Sequence, residues 1–217
     1  MVSIISCCKW FLTLHLLFAA LVSAKSHGNP ANELVNIMNQ NRTAAKLSQL
    51  NDNAGLSCIA LQYIEACQGN CTSNNTVKCK PSENDFLEVF APNCGVELPT
   101  FGTITGRIVG CQPKYVEPLE AFSRVLVRDR AALSVLREKN HSEVGVGLVG
   151  NRHGPYFWCV LFSNDRINST FVLENGGKGI KQRKGCYSGA NIECSEAKRT
   201  KLFLLVTIFP VIFTIFI

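Results

Sequence analysis

The chain has 217 residues, 47% of them apolar, and carries 22 Lys and Arg against 16 Asp and Glu, a net charge of +6. Over residues 25–188 the balance is 18 against 14, or +4, an excess too mild to argue for a nucleic-acid partner. Those 164 residues suit one domain with a core of its own.

In chain order, Lys9 precedes an apolar stretch over 10–22 and the small residues Val22, Ser23 and Ala24, the layout of a cleaved signal peptide over 1–24. Asn29 and Pro30 read as a helix cap and first helical position. Leu34, Ile37 and Met38 follow on an apolar face that Asn39 and Asn41 break. Asp52 or Asn53 caps a second helix, in which Leu56, Ile59, Ala60, Tyr63, Ile64 and Cys67 recur every three to four residues. From 67 to 111 the chain turns irregular. Ser82 caps a short helix carrying Phe86, Leu87 and Phe90, and a strand is expected within 100–109. Pro118 opens a helical stretch through Leu119, Phe122, Val125 and Leu126 that continues over 131–136. Strands at 143–149 and 156–163, separated by a turn at 150–155, read as a hairpin. In the second strand Tyr156, Trp158 and Val160 alternate with Phe157, Cys159 and Leu161, so the aromatics belong to a core buried on both faces. Glycines at 176, 177 and 179 open a flexible basic stem over 175–188.

The C-terminal run completes a pattern. Ser188, Gly189 and Ala190 are small, 191–201 is polar, and 202–217 is apolar apart from two threonines. That order is the signal for a glycosylphosphatidylinositol (GPI) anchor, with Ser188 as attachment residue, Gly189 and Ala190 as alternatives, and 189–217 removed. The expected location is therefore the extracellular face of the plasma membrane, reached through the secretory pathway.

Of eleven cysteines, Cys7 and Cys8 leave with the signal peptide and Cys194 with the tail. Cys58, Cys67, Cys71, Cys79, Cys94, Cys111, Cys159 and Cys186 remain, an even set that reads as up to four disulfides of unassigned pairing. Zinc would need paired spacings such as C-x2-C, which the mature chain lacks. Asn41, Asn70, Asn74, Asn140 and Asn168 head five glycosylation sequons.

Residues 34–50 followed by 55–66 resemble the opening of the CAP superfamily, the cysteine-rich secretory, antigen 5 and pathogenesis-related proteins. There a helix with an Asn-Arg end (Asn41, Arg42) leads through a short linker to a helix rich in Ala and Tyr. Residues 143–147 and 157–164 resemble the family's two late strands, a V-G-x-G run before an aromatic strand. The whole layout is similar to a group of plant GPI-anchored membrane glycoproteins. The resemblance implies an α+β fold, an α-β-α sandwich with a mixed or antiparallel sheet, over residues 25–174. The family's polar cleft carries two His and two Glu. Here the stretch after the second helix has no histidine, and 130–133 reads Arg-Ala-Ala-Leu, so that metal tetrad does not carry over.

Catalytic signatures are missing too: no H-E-x-x-H, no G-x-S-x-G and no Walker loop. His27 and His153 are expected in mobile or turn segments. His141 and Glu143 share a strand face at two-residue spacing, but His141 lies inside the Asn140 sequon, so a solvated loop is expected. Glu117 and Glu120 read as a wet helix face. The leading expectation is a non-enzymatic surface glycoprotein without metal or cofactor, binding an extracellular lipid, peptide or wall glycan. The competing readings are an enzyme with an unfamiliar site at His141 and Glu143, and a structural wall or coat component. Lys178, Lys181, Arg183 and Lys184 on the stem suit an acidic polysaccharide.

Overall fold

The structure is a computed structural model that describes residues 28–98, 102–150, 154–164, 171–174, 185–190 and 194. The expected signal peptide over 1–24, His27, His153, Asn168, the basic residues Lys178, Lys181, Arg183 and Lys184 and the apolar tail lie outside the described residues.

Helix α1, Pro30–Ala44, starts as its sequence dictates: the Asn29 side chain accepts the Ala31 N–H at 2.9 Å, and Pro30 takes the first turn. Asn39 and Asn41 do not end it. The Asn39 amide instead faces the returning chain, donating to the Leu50 carbonyl at 3.0 Å and accepting the Leu50 N–H at 2.8 Å. A short strand β1, Asn51–Asp52, leads into α2, Ala54–Ala66, capped by Asn53 through the Leu56 N–H at 3.0 Å.

Ser82 and Asp85 form a reciprocal capping box on α3, Glu83–Asp85. The helix continues as a π-helical turn π1, Phe86–Phe90, and then α4, Ala91–Cys94, which Gly95 ends in the left-handed region at φ 61°. Strand β2 is Ile104–Gln112, shifted C-terminally from the expected 100–109. The helical stretch from Pro118 is broken into α5, Pro118–Glu120, a second π-helical turn π2, Ala121–Leu126, and α6, Arg130–Leu136, which Asp129 caps anew. Leu119, within this stretch, is 64% exposed.

Strands β3, Glu143–Val149, and β4, Tyr156–Ser163, form the expected hairpin, with Val146 opposite Val160. The sheet is mixed and runs β1-β3-β4-β2, with β1 parallel to β3 and the other pairs antiparallel. A last strand, β5, Cys186–Tyr187, pairs with the far end of β3. The outer edge of β3 is thus covered in two pieces, by β1 and then by β5.

Alternation along β4 sorts the core into two layers. Phe157, Cys159 and Leu161 pack with α2, π1 and α4, whereas Trp158, Val160 and Phe162 pack with α1, π2 and Leu136 of α6. The fold is therefore an α+β, α-β-α sandwich. A close seam lies between α2 and β3. Gly145 and Gly147 face the helix, and a Cβ on either would stand 2.4 Å from the Leu56 carbonyl carbon or 2.3 Å from the Leu61 nitrogen. That is the physical content of the V-G-x-G run: bare backbone on one face and valines on the other.

Among the described residues four disulfides fasten the fold: Cys58–Cys94, Cys67–Cys79, Cys71–Cys111 and Cys186–Cys194. Two cysteines differ from expectation. Cys159 is unpaired and buried, because strand alternation turns it into the core beneath α2. Cys194, expected to leave with the tail, takes its place as a partner. Of the stem expected over 175–188, Cys186 and Tyr187 form β5, and 175–184 lie outside the described residues.

Candidate functional site

Four polar features have chemistry to consider. The first centres on Arg42, fully buried at the end of α1. Its guanidinium donates to the carbonyls of Ser48 at 2.8 Å, Leu136 at 2.7 Å, Glu138 at 2.9 Å and His141 at 3.3 Å. Burial lowers its proton affinity and Glu138 raises it. Arg42 ties the end of α1 to the α6–β3 turn. A sign of this was present in the sequence: Leu34, Met38 and Arg42 fall at spacings of four, so Arg42 sits on the apolar stripe.

His141 is beside it, and here the solvated-loop expectation is corrected. Asn140 is exposed, but His141 is only 4% exposed and stacks on Phe162 with ring centroids 4.8 Å apart. Desolvation pushes its pKa down from 6.5, and the Arg42 charge pushes it further the same way. Its Nδ1 has no hydrogen-bond partner among the described residues. Glu143, also buried, points its carboxylate elsewhere. It accepts from Asn53 Nδ2 at 2.9 Å and Ser163 Oγ at 2.6 Å. His141 stacks in the core while the Glu143 oxygens accept from Asn53 and Ser163, so the arrangement braces the start of β3.

The second feature lies where β1 gives way to β5. Ser188 is fully buried. Its N–H donates to the Val146 carbonyl at 2.9 Å, and its hydroxyl accepts the Val146 N–H at 3.2 Å and donates to Asp52 Oδ1 at 2.6 Å. The Ser57 hydroxyl lies 2.8 Å from that of Ser188 and donates to the Asn53 carbonyl at 2.7 Å. Asp52 is exposed as a whole, yet its carboxyl is enclosed on this side. Desolvation raises its pKa above 3.8 against the lowering effect of the two serine hydroxyls. Sequence reasoning identified Asp52 only as a possible cap and Ser188 as a tether residue; their meeting across 136 positions has no local signal.

Third, the sequons. Asn70, Asn74 and Asn140 are exposed, and Asn41 is half-buried, its side-chain oxygen accepting from Arg137 Nε at 3.3 Å.

The fourth feature is a cavity of about 240 Å³ beside β2, lined by Arg107, Ile108 and Val109 on one side and by Leu126, Arg128, Asp129 and α6 residues on the other. Among the described residues strand β2 pairs with β4 on one edge only. The Cys111 N–H turns away from β4 to the Asn75 carbonyl at 3.1 Å. By antiparallel alternation the N–H groups of Val109 and Arg107 point the same way, towards this groove. No group of three or more His, Cys, Asp or Glu that could hold a metal occurs among the described residues.

The chain matches no protein-family model and no curated protein. Among solved structures it is similar to a cysteine-rich secretory protein from Staphylococcus aureus, at 15% identity and a TM-score of 0.40. The match covers 64% of this chain and 40% of that one, so the chain spans well under half the relative's length.

Proposed function

We propose that this chain is an extracellular, GPI-anchored, non-enzymatic binding protein, and that its ligand is an extended acidic segment, peptide or glycan, laid along the outer edge of β2. The observation that carries the binding reading is the groove itself. A strand edge supplies outward N–H groups, apolar residues line its floor, and Arg128 stands exposed at its wall. An extended ligand satisfies such an edge by main-chain hydrogen bonds while its acidic groups meet the guanidinium. The polar groups that resemble a catalytic set, His141, Glu143 and Arg42, are turned inward and held by structural contacts, which favours binding over catalysis.

Four disulfides support an oxidising, exported setting. The signal peptide, the sequons and the C-terminal signal support display on the outer leaflet. The similarity to plant GPI-anchored glycoproteins makes wall acidic polysaccharide a natural glycan candidate.

The test uses the secreted soluble chain without its apolar tail, titrated against oligogalacturonate and an acidic peptide library at two salt concentrations. Salt-sensitive binding that falls about tenfold in Arg128→Glu and in Ala131→Trp, a change that fills the groove, is the expected result. Binding untouched by both substitutions places the ligand elsewhere.

A further inference from the structure

We infer that the groove along β2 takes a peptide strand and not a glycan, in the order acidic, any, apolar, acidic, and that Arg107 reads the last acidic side chain. The inference rests on the binding reading above and names the ligand class and register of that site.

The outer edge of β2 is open over a short window. At one end the Cys111 N–H is taken by the Asn75 carbonyl at 3.1 Å, and Arg128 of the groove wall donates to the Asn74 carbonyl. The turn at 72–76, pinned by Cys71–Cys111, therefore closes the groove there. At the other end the His141 ring meets the Thr105 backbone. Between these stops, Arg107 and Val109 turn N–H and C=O outward, and neither meets another backbone group on that side among the described residues. Two donors and two acceptors thus recur at about 6.8 Å. A polyuronate has carboxylates and hydroxyls but no amide N–H and C=O alternating at that repeat. A peptide laid antiparallel has both.

The window sets a register. Four ligand residues, from N- to C-terminus, lie opposite Gly110, Val109, Ile108 and Arg107. The second and fourth exchange hydrogen bonds with Val109 and Arg107, and the first and third turn their side chains to the other face. That face is the α6 wall. The third residue packs on Ile108, Leu126, Ala132 and Val135, so it is apolar, and the first stands towards the exposed Arg128. The fourth lies beside Arg107, whose guanidinium carbon sits 4.9 Å from the centroid of the buried Tyr63 ring. That stacking holds the charge in place before a ligand arrives. Among the described residues the ion pair formed is Arg124 with Glu120, and neither Arg107 nor Arg128 has a carboxylate partner. Asp129, also in the lining, accepts the Ala132 N–H at 2.8 Å as the cap of α6. The two arginines therefore meet acidic side chains on opposite faces of one extended strand.

The full chain, held in detergent, is titrated with the acetylated and amidated heptapeptide Gly-Asp-Thr-Val-Glu-Thr-Gly and with three singly N-methylated versions. Methylation of the Thr that follows Asp, or of Glu, should each weaken binding about tenfold, because those N–H groups face β2. Methylation of Val, whose N–H faces away, should stay within about threefold. Arg107→Gln should weaken binding about tenfold, and Arg107→Glu should lose this peptide yet bind the version with Lys in place of Glu, a rescue that a purely structural role for Arg107 does not give. Loss without that alternation, or charge reversal without rescue, overturns the inference. Oligogalacturonate that binds and is weakened by Arg128→Glu and Ala131→Trp, with no binding of the heptapeptide, overturns the peptide assignment and leaves the groove reading standing. Heptapeptide binding untouched by those two substitutions, or no binding of either probe, overturns both.

Discussion

At the scale of single residues, Arg42 is the most consequential side chain. Removing it leaves four carbonyls of the α6–β3 turn and the 45–50 linker without their donor, and empties a volume in a closed core. Arg42→Ala should therefore destabilise by about 3–5 kcal/mol, read from denaturant unfolding. Arg42→Lys should recover little of this, because an ammonium cannot span the same fork of acceptors. His141 sets a pH dependence. Its folded pKa lies below its unfolded 6.5, so the unfolded chain binds the extra proton first as pH falls. Stability from this residue is present above about 6.5 and is lost through the window between that value and the lower folded pKa. Thermal melts of His141→Phe, which keeps the stack on Phe162, should fall less steeply than wild type below about pH 6.5. Asp52 acts in the opposite sense: its raised folded pKa gives stability that is present at low pH and lost as pH rises above 3.8. Cys159 makes a further prediction. The native, unreduced protein should show no titratable thiol with Ellman's reagent, and the denatured, unreduced protein should show one; a second thiol would contradict the Cys186–Cys194 bond.

At the scale of elements, the α2–β3 seam has little room. In Gly147→Ala the new methyl meets the backbone of Leu61 at 2.3 Å, an atom that cannot swing aside. The helix must lift, which should cost about 1–3 kcal/mol and lower the melting temperature by about 2–4 °C per kcal/mol. The hairpin, the Asn29 and Asn53 caps and the Ser82 cap were readable from sequence because each depends on residues within a few positions of one another. What was not readable depends on distant partners. Asn39 looked like a helix breaker because its partner Leu50 lies eleven residues away. The turn from α6 into β3 looked solvated because the sequon marks Asn140, and nothing local says that the next side chain turns inward to Arg42 and Phe162. The groove by β2 escaped notice because it needs a strand edge and a separate helix, and the two π-helical turns have no period that a 3.6-residue pattern detects.

At the scale of the whole molecule, the cross-links divide the labour. Three disulfides gather residues 58–111 over one face of the sandwich, and the fourth holds the last strand near the N-terminal cap. Each native disulfide of a small exported domain contributes about 2–5 kcal/mol, so full reduction should lower the melting temperature sharply; an unchanged curve after verified reduction would contradict the framework. The divided cover on β3 also has a consequence in time. The chain is made from its N-terminus, and β3 is complete at Val149, but its second cover, β5, ends at Tyr187 and is followed by the buried Ser188. At about 5–20 residues per second, the intervening 39 residues take about 2–8 s to synthesise. Throughout that interval half of a hydrophobic strand has an open edge, an invitation to pair with a neighbouring nascent chain. The polypeptide thus has a defined span of its own synthesis in which a chaperone can bind, and stalled chains in which residues up to 149, but not yet 186–188, have cleared the ribosome should be the species most heavily bound.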